Sequence, residues 1–187
     1  MTTTPPPDRP TEQDFRRLLE HTGAEITPGL TSDELDSVET RFDIRFAADH
    51  RLLLSAGLPI GKGWPNWRDG NARGLKAQLG WPAEGVLYDV EHNAFWPAAW
   101  GARPAQLRHA LKSARYQLAR VPTMVPVFGH RYLPGIAGQW DHPVLSMMQT
   151  DIVVYGANLA NYLAVEFADG SPEHAPVTVP FWCDLVS

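Results

Sequence analysis

Cysteine is nearly absent from this chain: Cys183 is the only one among 187 residues. A disulfide framework and a cysteine-based zinc site are thereby excluded, and the apolar setting PFWCDLV suits a buried, inert thiol. No apolar run approaches the roughly 20 residues that span a bilayer. The opening MTTTPPPDRP lacks the basic and then apolar segments of a secretory signal. The expectation is a soluble, cytoplasmic protein with no membrane partner. Blocks of lysine and arginine are missing too, and the balance of 16 Lys+Arg against 21 Asp+Glu leaves a net charge of −5. Nucleic-acid binding needs clustered cations, so nucleic acid is not expected as a partner. There is no Gly-rich phosphate loop of the P-loop or dinucleotide type, no internal repeat, and no cofactor is expected.

What is present is an ordinary globular composition. Apolar residues make up 44% of the chain, enough for one core in a single domain. Residues 1–10, with three consecutive prolines, are expected as an extended or disordered tail, leaving 11–187 as the domain. Thr11 is placed to cap a helix carrying Phe15, Leu18 and Leu19, stopped at Gly23. Thr31 and Glu34 have capping-box spacing, with Leu30 and Leu35 as a hydrophobic staple, and open a helix through Val38 and Phe42. Asp49 to Ala56 forms a short helix ended by Gly57. Gly61 to Pro82 reads as a long loop with at most a short helix at Leu75 to Leu79, and Gly85 to Val90 reads as a strand. Leu107, Leu111, Ala114 and Leu118 share a face of a helix over Arg103 to Arg120, with Pro104 in its first turn. Met124 to Phe128, Val144 to Gln149 and Asp151 to Tyr155 are strands, the first two separated by a loop over Gly129 to Asp141. A last helix covers Asn158 to Phe167. From about residue 169 a proline-rich extension packs on the surface through Val177, Val179, Phe181 and Trp182. Helices first, then strands without regular βαβ alternation, imply an α+β fold.

Two groups of residues could carry function. The first lies in VPVFGHRYLPGIAGQWDHPVLSMMQTDIVVYG, which gathers His130, Arg131, Tyr132, Trp140, Asp141, His142 and Asp151 between strand-like runs. Two imidazoles and a carboxylate suit zinc or iron. Here, however, His130 and His142 are split by a glycine-rich loop, and the neighbours Asp141 and His142 point to opposite faces of any strand. Ser146, His130 and Asp151 contain the elements of a nucleophilic site but no GxSxG elbow. No catalytic residue and no metal ligand is assigned on this pattern. Arg131 instead fits stacking on Tyr132 or Trp140, or an ion pair with a carboxylate such as Asp151, either holding the loop down or meeting a ligand. The second group is Trp64, Trp67 and Arg68, residue types enriched at interface hot spots. They either anchor a partner or close over the sheet.

The run LTSDELDSVETRFDIRFAADHRLLLSAGLPIG resembles the opening of the SUKH superfamily, which includes a fungal cell-wall assembly regulator and bacterial toxin-immunity proteins. A capped helix, an aromatic–aliphatic link and a short helix ending near a glycine map to Leu35, Val38, Glu39, Phe42, Phe46, Leu53 and Gly57. Where family members often carry proline after the position of Phe46, this chain has Ala47 and Ala48. HPVLSMMQTDIVVYGANLANYLAVEF is similar to the family's central strands and final helix, and GWPNWRDG and GHRYLP to loops of some members. The resemblance covers residues 11–168. It implies a mixed or antiparallel sheet flanked by helices, no catalytic residues, and a protein partner such as a toxin domain. The candidate contact residues are Trp64, Trp67, Arg68, His130, Arg131, Tyr132 and Trp140. A second reading is a small metal- or ligand-binding enzyme centred on His130 and His142; a third is a regulatory scaffold.

Overall fold

The computed structural model describes residues 9–187; most of the expected tail, residues 1–8, lies outside them. The N-terminal helices begin where their caps put them. Thr11 opens α1 (Glu12–Glu20), its hydroxyl accepting from the Asp14 amide while Asp14 accepts from the Thr11 amide at 2.8 Å. Two residues of β1 (Glu25–Thr27) are exposed. Thr31 and Glu34 repeat the reciprocal cap at α2 (Ser32–Phe42), which ends at Asp43 in the left-handed region. After α3 (Ala48–Ala56) comes β2 (Leu58–Ile60), antiparallel to β1. Neither short strand was expected, because three residues are too few to show an alternation.

The largest departure from the sequence reading is α4 (Ala72–His92), a single helix of 21 residues where a loop and a strand were expected. Asn71 caps it by accepting from the amides of Arg73 and Gly74. Leu75, Leu79, Pro82, Val86 and Val90 recur at helical spacing and face inward. The segment was misread because Gly80, Pro82 and Gly85 look like breakers. Pro82 lacks the amide that would bond the Gln78 carbonyl; that carbonyl accepts instead from the Tyr132 hydroxyl at 2.8 Å. Gly85 is required by contact: a Cβ there would stand 2.8 Å from Gln149 Cα. The next helix, α5 (Leu107–Leu118), starts later than expected, leaving Pro104 outside and Leu107 at the surface.

Four strands, β3 (Met124–Phe128), β4 (Arg131–Pro134), β5 (Val144–Met148) and β6 (Asp151–Gly156), form an antiparallel meander in chain order. The expected loop over Gly129 to Asp141 therefore contains β4, an inner strand whose four residues are all buried. A strand covered on both faces shows no polar–apolar alternation, which is why it was missed. Tyr132, Leu145 and Met147 join Val86, Val90, Ala110 and Ala114 in a core on one side, beneath α4 and α5. Leu133 and Val144 join Phe15, Leu19, Leu53 and Tyr162 on the other, beneath α1, α3 and α6 (Leu159–Phe167). A third cluster, under α2, surrounds Phe46 and Trp67. The fold is α+β, with helices on both faces of an antiparallel sheet. The C-terminal extension is core rather than a surface appendage. Val179 and Trp182 are buried, Trp182 Nε1 donates to the Pro122 carbonyl, and only Val177 of the expected contacts stands out in solvent. No described helix is long and apolar enough to cross a membrane.

Candidate protein-docking groove

The side chains singled out by sequence are mostly consumed by the fold. Trp67 is 2% exposed and meets Phe46 and Phe42 edge-on at 5.3 and 6.0 Å. Trp64 is buried against Phe128 and Phe167. Arg68 donates to both Glu34 carboxylate oxygens, at 2.7 and 3.1 Å, and to the carbonyls of Pro28 and Gly29. The Arg68 guanidinium, followed by the Thr31 amide, pulls the Glu34 carboxyl down to about 2. These contacts clamp residues 61–71 onto the start of α2, with Trp67 and Arg68 forming one wall of a shallow hollow there.

The His130–Tyr132 segment does not act as one surface, because adjacent strand residues face opposite sides of the sheet. Tyr132 is buried toward α4. Arg131 points the other way, its guanidinium 3.6 Å from the Tyr155 ring centroid and 3.7 Å from the Glu166 carboxylate. Those partners replace the expected Tyr132, Trp140 and Asp151; the ring of Trp140 instead carries Arg9 at 4.9 Å. Arg131 Nη1 donates to Ser146 Oγ at 3.2 Å and to His130 Nε2. Burial, then the Arg131 charge, lowers the His130 pKa, keeping its ring neutral and able to accept. Ser146 and His130 thus both serve one cation, and no serine–histidine hydrogen bond forms between them. Arg131 Nε and the Tyr162 hydroxyl are buried without partners in the same neighbourhood. His142 has separate surroundings: its nitrogens meet Thr178 Oγ1 at 2.9 Å and Gln139 Oε1 at 2.7 Å. No three His, Cys, Asp or Glu side chains among the described residues are grouped as metal ligands.

A more apolar exposed surface lies along α4. Trp81 and Tyr88 on α4 and Met148 at the end of β5 are each 47% exposed. They border two hollows of about 370 and 240 Å³ that share Trp81 and Met148. Gln78, His130 and Tyr132 line the first, Glu84 and Gln149 the second. The walls are held rigid. Trp81 Nε1 donates to the Met147 carbonyl at 3.2 Å, and Tyr132 ties the floor to Gln78. At the β5–β6 turn the Thr150 amide and hydroxyl donate to Asp89 at 2.9 and 2.6 Å, and Asn93 donates to its other oxygen. Burial alone would raise the Asp89 pKa; the Thr150 and Asn93 bonds outweigh it and hold the carboxyl below its ordinary value. A groove fixed in this way loses little entropy when filled.

No family model, curated protein or solved structure matches the chain.

The groove therefore has to be judged by its chemistry. Sequence reasoning missed it although a signal existed: Ala77, Trp81, Glu84 and Tyr88 follow i, i+4, i+7, i+11 spacing, a second stripe beside the buried one. That stripe becomes visible only once residues 72–92 are recognised as one helix. Of the seven candidate contact residues, His130 and Tyr132 reach the groove, His130 at its rim and Tyr132 in its floor; the other five do not line it.

Proposed function

We propose that the chain is a non-enzymatic protein-binding domain that neutralises a cognate toxin, as the SUKH resemblance implies, and that its contact surface is the Trp81–Met148 groove. The observation that carries this reading is a rigid, exposed aromatic and methionine wall, the residue types that dominate interface energetics. The occupant is an apolar side chain presented by a toxin helix, in the helix-in-groove manner. Beside it a basic residue meets Glu84, which makes no ion pair among the described residues.

The test is co-expression with each polypeptide encoded beside this gene, followed by size-exclusion chromatography and growth assays. A stoichiometric complex and rescue of growth are expected with one of them, and both should be lost with Trp81→Glu. If no neighbour product forms a complex, or if Trp81→Glu binds normally, the proposal fails.

A further inference from the structure

The charges of this chain are segregated. Residues 92–140 hold six Lys and Arg and no Asp or Glu, whereas the rest of the chain holds ten cations and all 21 anions. One of the six, Arg131, is buried in the sheet; Arg103, Arg108, Lys112, Arg115 and Arg120 lie on or beside α5 and are exposed. At 100° and 1.5 Å per residue, Arg108, Lys112 and Arg115 fall within an arc of about 60°, separated by about 6 and 4.5 Å along the axis. Ala110, Ala114 and Leu118 turn the opposite side to the core. A reading of contiguous blocks misses this row, because the helix assembles it from residues three and four apart.

Stability does not explain it. Like charges at i, i+3 and i, i+4 weaken a helix, and among the described residues none of the five makes an ion pair. Their hydrogen bonds go to neutral groups: Arg103 to the Val90 carbonyl, Arg108 to Gln106, Arg120 to the Tyr116 hydroxyl. Exposed apolar surface flanks the charges at Tyr116, which is 61% exposed.

We infer that the outer face of α5 docks an acidic helix of a partner protein, with Arg108, Lys112 and Arg115 meeting its carboxylates and Tyr116 its apolar side. Carboxylates at i, i+4 and i+7 of such a helix repeat at the same spacing as the row, and arginine grips them bidentately. A membrane is disfavoured because the apolar face of α5 is already spent on the core. A nucleic acid is disfavoured because Tyr116, the exposed aromatic of α5, already has Arg120 over its ring at 5.1 Å, which leaves no open stacking platform beside the row. The inference does not rest on the groove reading: its variants leave Trp81, Tyr88 and Met148 untouched.

The test is a fluorescence titration of the full chain, at about 150 mM salt, with two labelled probes of equal charge. One is a glutamate-rich helical peptide of about four turns, the other a single-stranded DNA oligonucleotide. The expected result is binding of the peptide in preference to the oligonucleotide, weakened by salt and by at least about tenfold in the triple variant Arg108→Glu, Lys112→Glu, Arg115→Glu. The pair Arg108→Gln, Arg115→Gln, which adds no negative charge, should give an intermediate loss with the melting temperature unchanged. Arg41→Glu, on α2, should leave binding unchanged. The inference is overturned if the oligonucleotide binds as well as the peptide, or if neither binds. It is also overturned if Arg41→Glu costs as much as the triple variant, or if sedimentation shows salt-sensitive self-association that the triple variant abolishes.

Discussion

Trp67 and Trp81 lie fourteen residues apart, each followed or preceded by turn-forming residues, yet they serve opposite ends. Trp67 is locked between Phe42 and Phe46 with 2% of its surface exposed, while Trp81 is tethered only by its ring nitrogen and keeps 47% in solvent. The loop carrying Trp67 has its arginine tied by Glu34 and two carbonyls. The helix carrying Trp81 presents Tyr88 and Glu84 to solvent on the same stripe. The residue type is the same, and what separates a packed side chain from one left open to a partner is whether the surroundings satisfy the whole side chain. The His130–Tyr132 segment teaches the same lesson, because the residues that looked most chemical are those whose polar atoms are largely spoken for.

Substitutions can break this comparison in order of expected size. Trp67→Ala removes a fully packed core side chain and should cost about 3–5 kcal/mol, read as a large drop in melting temperature; a change below about 1 kcal/mol would show that the loop is not part of the core.

The acid side comes next. His50 is buried, and burial lowers its pKa to about 3, so the folded state cannot take the proton that the unfolded chain takes below about 6.5. Stability from this group is therefore lost as pH falls. Asp49 is the opposite case: burial raises its pKa to about 6, so the native protein binds the proton first and gains stability as pH falls through that value. Between pH 7 and 5 the two oppose each other, by about 2 kcal/mol for His50 and about 1 kcal/mol for Asp49. His130 and His142, whose pKa values burial also lowers, add to the His50 side. Urea titrations at both pH values should show His50→Leu flattening the acid loss and Asp49→Asn steepening it. Identical slopes in all three proteins would remove this assignment.

Thr31→Ala removes the hydroxyl that caps α2 and should cost about 1 kcal/mol. The smallest stability effect belongs to Trp81→Ala, within about 1 kcal/mol, since it vacates a half-exposed wall.

Much of the fold was legible because its signals are local. The two capping boxes at Thr11 and Thr31 and the apolar runs of β3, β5 and β6 depend on neighbours within four residues. What was not legible depends on distant partners. Gly85 stands inside α4 because Gln149, at the β5–β6 turn, leaves no room for a Cβ, and Pro82 is tolerated there where Tyr132 takes up the freed Gln78 carbonyl. Arg131 finds Glu166 and Tyr155 only after β6 and α6 have folded over it. The groove inherits this invisibility, being made of α4, a strand missed at Tyr132, and a turn clamped by Asp89.

The most direct test of the central claim is calorimetric titration of the neighbour-encoded polypeptide recovered by co-expression with the wild-type chain, Trp81→Glu and Arg131→Gln. The account predicts a loss of at least about a hundredfold in affinity for Trp81→Glu, with its melting temperature nearly unchanged, and wild-type affinity for Arg131→Gln even if that variant melts earlier. Undiminished binding by Trp81→Glu, or loss of binding confined to Arg131→Gln, would contradict it.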